Sequence, residues 1–180
     1  MSEQKQDEEW RSPLGIDIRY TEPEDAPHLK RWLLDSEVSR WFPMADEMEI
    51  DDAVNRWIGF CRYRCSLTAV KDELPVGLIT LYLQPYKKLA HQCEFGIIVA
   101  PECRGQKVGS EMLTNAIHLA KVKFKIELLH LQVYEGNPAM RLYTRFGFRE
   151  FGKQTQWIKE NPGEHPPEFT GRIFMEKYLT

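Results

Sequence analysis

A short glycine-containing segment between a strand pattern and a helix pattern carries the groups that bind anions. It consists of Arg104-Gly105-Gln106-Lys107-Val108-Gly109-Ser110, and a long helix pattern follows directly. The first backbone N–H groups of a helix have no partner within it and lie at the positive end of its dipole. Gly105 permits a tight turn, and Gly109 leaves room for a ligand beside the backbone. Arg104 and Lys107 add two cations that can engage phosphate oxygens.

The same segment also has a plainer interpretation, as a surface turn that caps a helix and carries solvated bases. Two other phosphate-binding patterns are excluded. No Gly-Lys-Ser/Thr follows, as a P-loop requires, and the glycine spacing is not that of a dinucleotide turn. The segment by itself therefore favours an anion site without identifying the anion.

The elements that must position this turn alternate between strand and helix patterns. Period-two alternation predicts strands, and apolar residues three and four apart predict amphipathic helices. Ile50, Val54 and Trp57 share one face of the clearest helix. The order predicts a mixed α/β sheet, with strand 15–20, helices 21–35 and 50–64, strands 66–70, 76–83 and 92–99, helix 107–123, strand 128–134, helix 138–146, and strands 148–151 and 172–178.

Composition bounds the class of protein. A net charge of -3, with 42% hydrophobic and 28% charged residues, is ordinary for one soluble domain. The lack of basic excess argues against a general nucleic-acid binder. No apolar run approaches the roughly 18 residues of a membrane span, and residues 1–11 are too polar for a signal peptide. We expect a cytoplasmic protein with a flexible tail at 1–14 and one domain at 15–180.

The four cysteines are expected to be reduced thiols rather than metal ligands or disulfides. Cys61 and Cys65 are four residues apart on a helix pattern, so they share a face. No further ligands follow at a spacing typical of a zinc site. We therefore expect no metal.

A second segment makes the interpretation more specific. It begins with an Asn-Pro pair and contains Asn137, Ala139, Tyr143, Gly147 and Phe148. Each residue has a plain interpretation, as a helix cap, a packed ring or a C-cap glycine. Together, after the anion-binding turn, they resemble the second motif of the GNAT acetyltransferase superfamily. The first motif of that family, Q/R-x-x-G-x-G/A, is matched by Arg104 and Gly109, while Lys107 replaces its first glycine.

The resemblance covers residues 15–180 and implies a fold and a ligand. The fold is a mixed, mostly antiparallel sheet of about six or seven strands, flanked by about four helices, with splayed central strands. The ligand is acetyl-CoA as cosubstrate, whose pantetheine arm would lie between those strands. The residues implied to bind it are Ile97, Ile98, Val99, Arg104, Gly105, Gln106, Lys107, Val108, Gly109, Ser110, Asn137 and Tyr143.

The implied activity is N-acetylation by direct attack of a primary amine on the thioester in a ternary complex. Tyr143 is the implied general acid for the leaving thiolate, since a phenol keeps its proton to a pH of about 10. A backbone N–H near Ile97 would stabilise the oxyanion. Glu94 is the candidate base or water-orienting group, and its plain alternative is a structural hydrogen-bond acceptor on the sheet. A covalent acyl-enzyme is not required.

The implied acceptor is a small amine, a polyamine or the N-terminus of a protein such as a ribosomal protein, and its identity stays open. The five carboxylates between Asp46 and Asp52 could attract a cation, although a solvated loop with helix-capping acids is the plainer interpretation. The acceptor pocket is expected to be built from the first two helices, with Trp41-Phe42-Pro43 between them, and from the final hairpin. The stretch 152–171 is long for a hairpin connection, so we expect it, with Trp157, to cover part of the acceptor site. A homodimer is also considered.

Two other functions are weighed. A non-catalytic acyl-CoA-binding sensor or scaffold module would share the fold, and Tyr143 and Glu94 favour the enzyme over it. A zinc nucleobase deaminase is excluded, because it requires H-x-E and P-C-x-x-C. His91 is followed at the right offset by Cys93 rather than by glutamate.

Overall fold

The computed structural model describes residues 14–179. The predicted tail lies almost entirely outside the described residues. The chain forms seven strands and five α-helices within that range, namely β1 (Ile16–Tyr20), α1 (Ala26–Leu34), α2 (Ser36–Ser39), α3 (Glu47–Ile58), β2 (Ser66–Lys71), β3 (Leu74–Leu83), β4 (Gln92–Val99), α4 (Val108–Val122), β5 (Leu128–Tyr134), α5 (Met140–Arg145), β6 (Arg149–Lys159) and β7 (Phe169–Tyr178).

This architecture confirms the predicted mixed α/β fold. The sheet has the order β1-β2-β3-β4-β5-β7-β6. All neighbouring strands are antiparallel except the central pair β4 and β5. The additional helix is α2, a single turn whose N-cap is Asp35. It is too short to produce an amphipathic pattern, so the sequence indicated a loop there.

The central pair is splayed. Strand β4 pairs with β5 only from Gln92 to Glu94, opposite Leu128 to His130. On its other side β4 stays paired with β3 along its whole length. Backbone groups of a strand point alternately to its two sides. Beyond Glu94, those directed away from β3 therefore face an opening instead of a partner strand.

Helices cover both faces of the sheet. A Cβ added at Gly77 would meet the Met112 side chain, which places α4 on one face, here called the α4 face. A Cβ added at Gly96 would meet the Trp57 ring, which places α3 on the other, the α3 face. The regular β3–β4 register assigns Phe95 to the α4 face and Glu94 to the α3 face.

The prediction of a long connection at 152–171 is wrong. Strand β6 continues to Lys159 and β7 begins at Phe169, so the connection spans only residues 160–168. Strand β6 is at the edge of the sheet and is exposed along most of its length, so it lacks an apolar alternation. Gly171 lies within β7, where an added Cβ would come within 2.9 Å of the Gln154 carbonyl oxygen. The glycine therefore marks a close backbone approach and not a loop.

Candidate active site

A cavity of about 610 Å³ lies where β4 and β5 separate. It extends from the N-terminus of α4 to β6 and β7, and its walls come from both faces of the sheet. Eleven of the residues predicted to bind a ligand or act on it line this cavity, namely Ile97, Ile98, Val99, Arg104, Gly105, Lys107, Val108, Gly109, Ser110, Asn137 and Tyr143. Gln106 and Glu94 do not.

The turn before α4 presents a row of free backbone donors. The five consecutive N–H groups from Gly105 to Gly109 have no acceptor within residues 14–179. The first amide that bonds back is that of Ser110, to the Lys107 carbonyl oxygen at 3.0 Å. Unpaired amides at a helix N-terminus favour an anion. This row of amides, Gly105 to Gly109, is here called the cradle. The Gln106 side chain lies outside the cradle, because it bonds to Lys71 and to the Glu102 carbonyl oxygen.

Three cations surround the cradle, one of which sequence reasoning missed. Arg104 lines the cavity and donates to the Glu37 carbonyl oxygen at 3.3 Å. Lys107 lines it beside the amides. Arg145, on α5, donates to the Ser110 hydroxyl at 2.8 Å and is the missed residue. Its position two residues after Tyr143 was the available signal, but only the packing of α5 against α4 brings it to the turn.

Close packing around position 109 favours glycine there, whether or not a ligand is bound. A Cβ at this position would lie 3.2 Å from the Leu142 side chain and 3.8 Å from that of Val99. The glycine therefore lets the start of α4 approach both α5 and β4 closely. Gly105, in contrast, has open space around it and a φ of 74°, which a glycine adopts without steric cost.

Lys107 has a φ of 66°, so the turn requires the left-handed conformation at the position where the related motif has glycine. Replacing it by glycine is expected to raise the free energy of unfolding by about 0.5–1 kcal/mol, because the strain is relieved. The affinity for acetyl-CoA should fall about fivefold, because an exposed cation worth about 1 kcal/mol is lost. Chemical denaturation and calorimetric titration measure the two effects.

Lys107→Ala is the matched control, because alanine removes the charge and keeps the strain. It should lose the same affinity without gaining stability. Unchanged affinity in both variants would show that the lysine charge does not contribute to binding.

Tyr143 lies inside the cavity among aromatic rings. Its ring centroid is 6.0 Å from that of Phe95 and 6.2 Å from that of Phe148. The side chain is buried on the α4 face, and burial raises the pKa of its hydroxyl above the ordinary value. The phenol therefore stays protonated at physiological pH and can donate a hydrogen bond.

Glu94 lies one side chain behind the cavity wall. It is the last residue of β4 that pairs with β5, and it faces α3. Its carboxylate accepts a hydrogen bond from the Gln132 side chain at 3.2 Å, and Gln132 lines the cavity. Glu94 therefore has no direct contact with the cavity; it can orient the Gln132 side chain, and it can exchange a proton with the cavity only through a bound water.

One polar atom of the Asn137 side chain is already hydrogen-bonded to the backbone. Its side-chain oxygen accepts a hydrogen bond from the Ala139 N–H at 2.9 Å, which shapes the turn before α5. The side-chain amide nitrogen makes no hydrogen bond to the described residues, although Asn137 lines the cavity. One donor group therefore remains available to a ligand.

The α3-face end of the cavity has an aromatic and polar lining that the sequence predicted only in part. Its residues come from the segment between α2 and α3 and from strands β5, β6 and β7. They are Trp41, Phe42, Pro43, Gln132, Tyr134, Trp157 and Arg172. Trp157 and the Trp41–Pro43 segment were expected beside an acceptor, while Gln132, Tyr134 and Arg172 were not.

The acidic group at the N-terminal end of α3 is structural, in agreement with its plainer interpretation. Asp46 accepts a hydrogen bond from the Glu49 N–H and so caps α3. Glu47 and Asp51 pair with Lys30, and Asp52 pairs with Arg56. These carboxylates stabilise the start of α3 and do not line the cavity.

Two of the four cysteines, Cys65 and Cys93, have little nucleophilic character. All four are free thiols, and Cys65, Cys93 and Cys103 are buried. Burial raises the pKa of Cys65 to about 11 and that of Cys93 to about 12. Such thiols are protonated and inert at neutral pH.

Within the described residues, no helix is long and apolar enough to cross a membrane.

Comparison with known proteins agrees with this geometry. The model of the acetyltransferase (GNAT) domain family matches residues 16–149. An L-amino acid N-acetyltransferase of Escherichia coli strain K12 is 27% identical over 100 residues, which are 55% of this chain. The match spans 61% of that relative, about three fifths of its length.

Two solved structures show the same fold. One, assigned as a phosphinothricin N-acetyltransferase, superposes with a TM-score of 0.77 at 20% identity, over 92% of this chain and 99% of that one. The other is an acetyltransferase from Salmonella typhimurium, solved with its cofactor acetyl-CoA. Its TM-score is 0.71 at 16% identity, over 92% of this chain and 95% of that one.

Proposed function

Because the chain belongs to the GNAT acetyltransferase family, we propose that it transfers an acetyl group from acetyl-CoA to a primary amine. The observation that carries this proposal is the cavity between β4 and β5. At one end, free amides and cations meet the needs of a pyrophosphate. The unpaired edge of β4 suits the amide groups of a pantetheine arm, which can add to it as a further strand does.

The groups that would act on the coenzyme and those that would act on the amine lie on opposite faces of the sheet. The phosphate cradle and Tyr143 belong to the α4 face, whereas Glu94 and Gln132 belong to the α3 face. The amine nitrogen forms its bond to the thioester carbon from the α3 side, and the carbon–sulfur bond breaks. Tyr143 protonates the departing sulfur, and the proton of the amine leaves through Glu94 or water. Holding both reactants in one cavity supplies much of the rate.

A thiol-release assay tests the proposal. Acetyl-CoA is supplied with a panel of amines at pH about 8, and free CoA is measured continuously. We expect turnover with at least one amine and a product heavier by one acetyl group. If acetyl-CoA binds in calorimetry but every amine fails, the chain is instead a non-catalytic acyl-CoA-binding module.

Trp157 is expected to affect the acceptor and not the coenzyme. Its ring stacks on the Arg172 guanidinium, with 3.4 Å from Cζ to the ring centroid, and both line the α3-face end of the cavity. Trp157→Ala should raise the KM of the acceptor about tenfold, because an aromatic contact and a cation–π pair are lost. The KM of acetyl-CoA should change less than about twofold.

Phe169→Ala is the control for Trp157→Ala. Phe169 is an exposed aromatic residue at the start of β7 and does not line the cavity. Its variant should behave like the unmodified protein in steady-state kinetics. An equal rise in both KM values for Trp157→Ala would refute the assignment of Trp157 to the acceptor.

A further inference from the structure

Arg172 and Tyr134 face each other across strands β5 and β7 at the α3-face end of the cavity. They are register partners in the antiparallel pair, and both line the cavity. We propose that they bind the carboxylate of the acceptor, so that the acceptor is a free amino acid. This inference rests on the acetyltransferase function proposed above and narrows its acceptor to one class.

The Arg172 guanidinium is held in place by neutral groups. It donates to the side-chain oxygens of Gln132 and Gln154. Its Cζ lies 3.4 Å from the Trp157 ring centroid and 4.6 Å from that of Phe174. No carboxylate within residues 14–179 forms a salt bridge with it. A cation that is fixed in position and not neutralised is prepared to pair with a ligand carboxylate.

Tyr134 provides a second, independent indication. Its hydroxyl is buried and has no hydrogen-bond partner among the described residues. A buried polar group without a partner costs free energy, so a ligand atom at this position would be stabilised. Burial, together with the nearby Glu160, raises the pKa of the Tyr134 hydroxyl, which keeps its proton. It can therefore donate to a carboxylate oxygen beside Arg172.

The charges along this part of the site match those of a zwitterion. Gln132 accepts a hydrogen bond from Arg172 and donates one to Glu94 at 3.2 Å. The cation and the carboxylate are therefore on opposite sides of one glutamine. An amino acid would direct its carboxylate to Arg172 and its ammonium group toward Glu94 before deprotonation. A polyamine would bring like charge to Arg172, which is unfavourable.

Two carboxylates lie near this part of the site. Glu135, which comes next after Tyr134, is paired with Lys153 at 2.5 Å. Its charge is therefore balanced within the protein. Glu160 starts the connection after β6, and its charge helps to raise the pKa of the Tyr134 hydroxyl, which favours the protonated form that can donate to a ligand carboxylate. Arg172 consequently remains the charged side chain at this end of the cavity that has no ionic partner among the described residues.

Matched acceptors test the carboxylate directly. The twenty L-amino acids are each compared with the corresponding L-amino acid amide, and spermidine and isoamylamine serve as amines without a carboxylate. For the best acceptor, kcat/KM should exceed that of its amide about 10- to 100-fold, since one charged hydrogen-bonding group is missing. If the amides, which resemble a protein N-terminus, or spermidine were acetylated as efficiently as the amino acids, the proposal would be overturned.

Variants then assign the effect to the two residues. Arg172→Ala should raise the acceptor KM about 10- to 100-fold and remove the preference for acid over amide, while the KM of acetyl-CoA stays within about twofold. Tyr134→Phe should act in the same direction with a smaller effect, and Arg172→Lys should recover part of the affinity. Arg149→Ala is the control, because Arg149 is an exposed residue on β6 that does not line the cavity. An equal effect of Arg172→Ala on both KM values would contradict the assignment.

A binding measurement separates this inference from the proposed function. Each L-amino acid is titrated into the protein saturated with CoA, with and without Arg172→Ala. If no amine is acetylated, the acetyltransferase function fails. Binding of an L-amino acid that depends on Arg172 would still support the carboxylate site in that case, and binding that the variant leaves unchanged, or no binding at all, would overturn it.

Discussion

Tyr143→Phe is expected to lower kcat about 100-fold and to leave the Kd of acetyl-CoA within about twofold. General acid catalysis contributes factors of about 100 or more, and the variant removes only the hydroxyl oxygen. The ring would keep its contacts with Phe95 and Phe148, so the packing of α5 against β4 should survive. Steady-state thiol release and calorimetric titration measure the two quantities.

The pH dependence gives this prediction a second readout. Burial raises the pKa of Tyr143, so its protonated form persists above the ordinary tyrosine value of about 10. The rate should therefore rise with pH as the amine loses its proton and should not fall again below about pH 10. A descending limb near pH 8 would show that a different group supplies the proton.

Tyr82→Phe is the matched control. Tyr82 is also a tyrosine with a hydroxyl whose pKa is raised by burial, but it lies on the α3 face beside Phe60 and does not line the cavity. Removal of the Tyr82 hydroxyl should change kcat less than about twofold. If Tyr143→Phe retained the unmodified rate while Tyr82→Phe did the same, Tyr143 would have no role as the acid.

The row of free amides before α4 was accessible from sequence because it is local. Arg104, Gly105 and Gly109 belong to one continuous turn, and the helix that follows has a strong apolar period. The physical demands of an anion are met there by adjacent residues. The left-handed conformation of Lys107 was the exception, because a side chain at that position gives no signal of the backbone angle that the turn imposes.

The α3-face end of the cavity was less accessible from sequence because distant segments form it. Gln132, Tyr134 and Arg172 meet only through the pairing of β5 with β7, and β6 adds Trp157 from the edge of the sheet. The sequence placed Arg172 at the start of a strand but could not show which strand it joins. Glu94 was placed correctly on a strand beside the opening. The side chain that separates it from the cavity, Gln132, comes from another part of the chain.

The largest effect on stability is expected at Asp25, which anchors a buried polar network behind the α3-face lining of the cavity. Its carboxylate accepts two hydrogen bonds from Arg19, at 2.7 and 2.9 Å. It also accepts one from Thr68 at 2.7 Å and one from the Glu22 N–H at 3.0 Å. The Thr21 hydroxyl lies within the same network and donates to the Ser66 hydroxyl at 2.9 Å.

The network continues to the cavity. Ser66 and Thr80 share a hydrogen bond of 2.6 Å, and the Trp57 indole N–H donates to Thr80 at 2.7 Å. The Trp57 ring packs against Phe42, which lines the cavity. Strands β2 and β3 are thereby connected to helix α3 through buried side chains, and Arg19 joins β1 to the same network from a partly exposed position. Loss of the anchor should therefore loosen the segment between α2 and α3 as well as the fold.

Asp25→Ala is expected to reduce the free energy of unfolding by about 3 kcal/mol, because hydroxyl and guanidinium donors lose a buried acceptor. Burial by itself would raise the pKa of Asp25, but the hydrogen bonds from Arg19, Glu22 and Thr68 outweigh it and lower the pKa. The contribution to stability is then present above the ordinary aspartate value of about 3.9 and is lost as the pH falls through the lower pKa of the folded state. Urea denaturation at pH 7 and at about pH 3 should show the difference between the two proteins narrowing in acid.

Asp17→Ala provides the comparison, because Asp17 is an exposed aspartate on β1, two residues before Arg19. A surface change of this kind should stay within about 0.5 kcal/mol at both pH values. A loss of stability in Asp25→Ala that was no larger than in Asp17→Ala would mean that the network does not hold the strands to α3. A loss of full size that did not shrink in acid would assign the effect to packing and not to the ionised carboxylate.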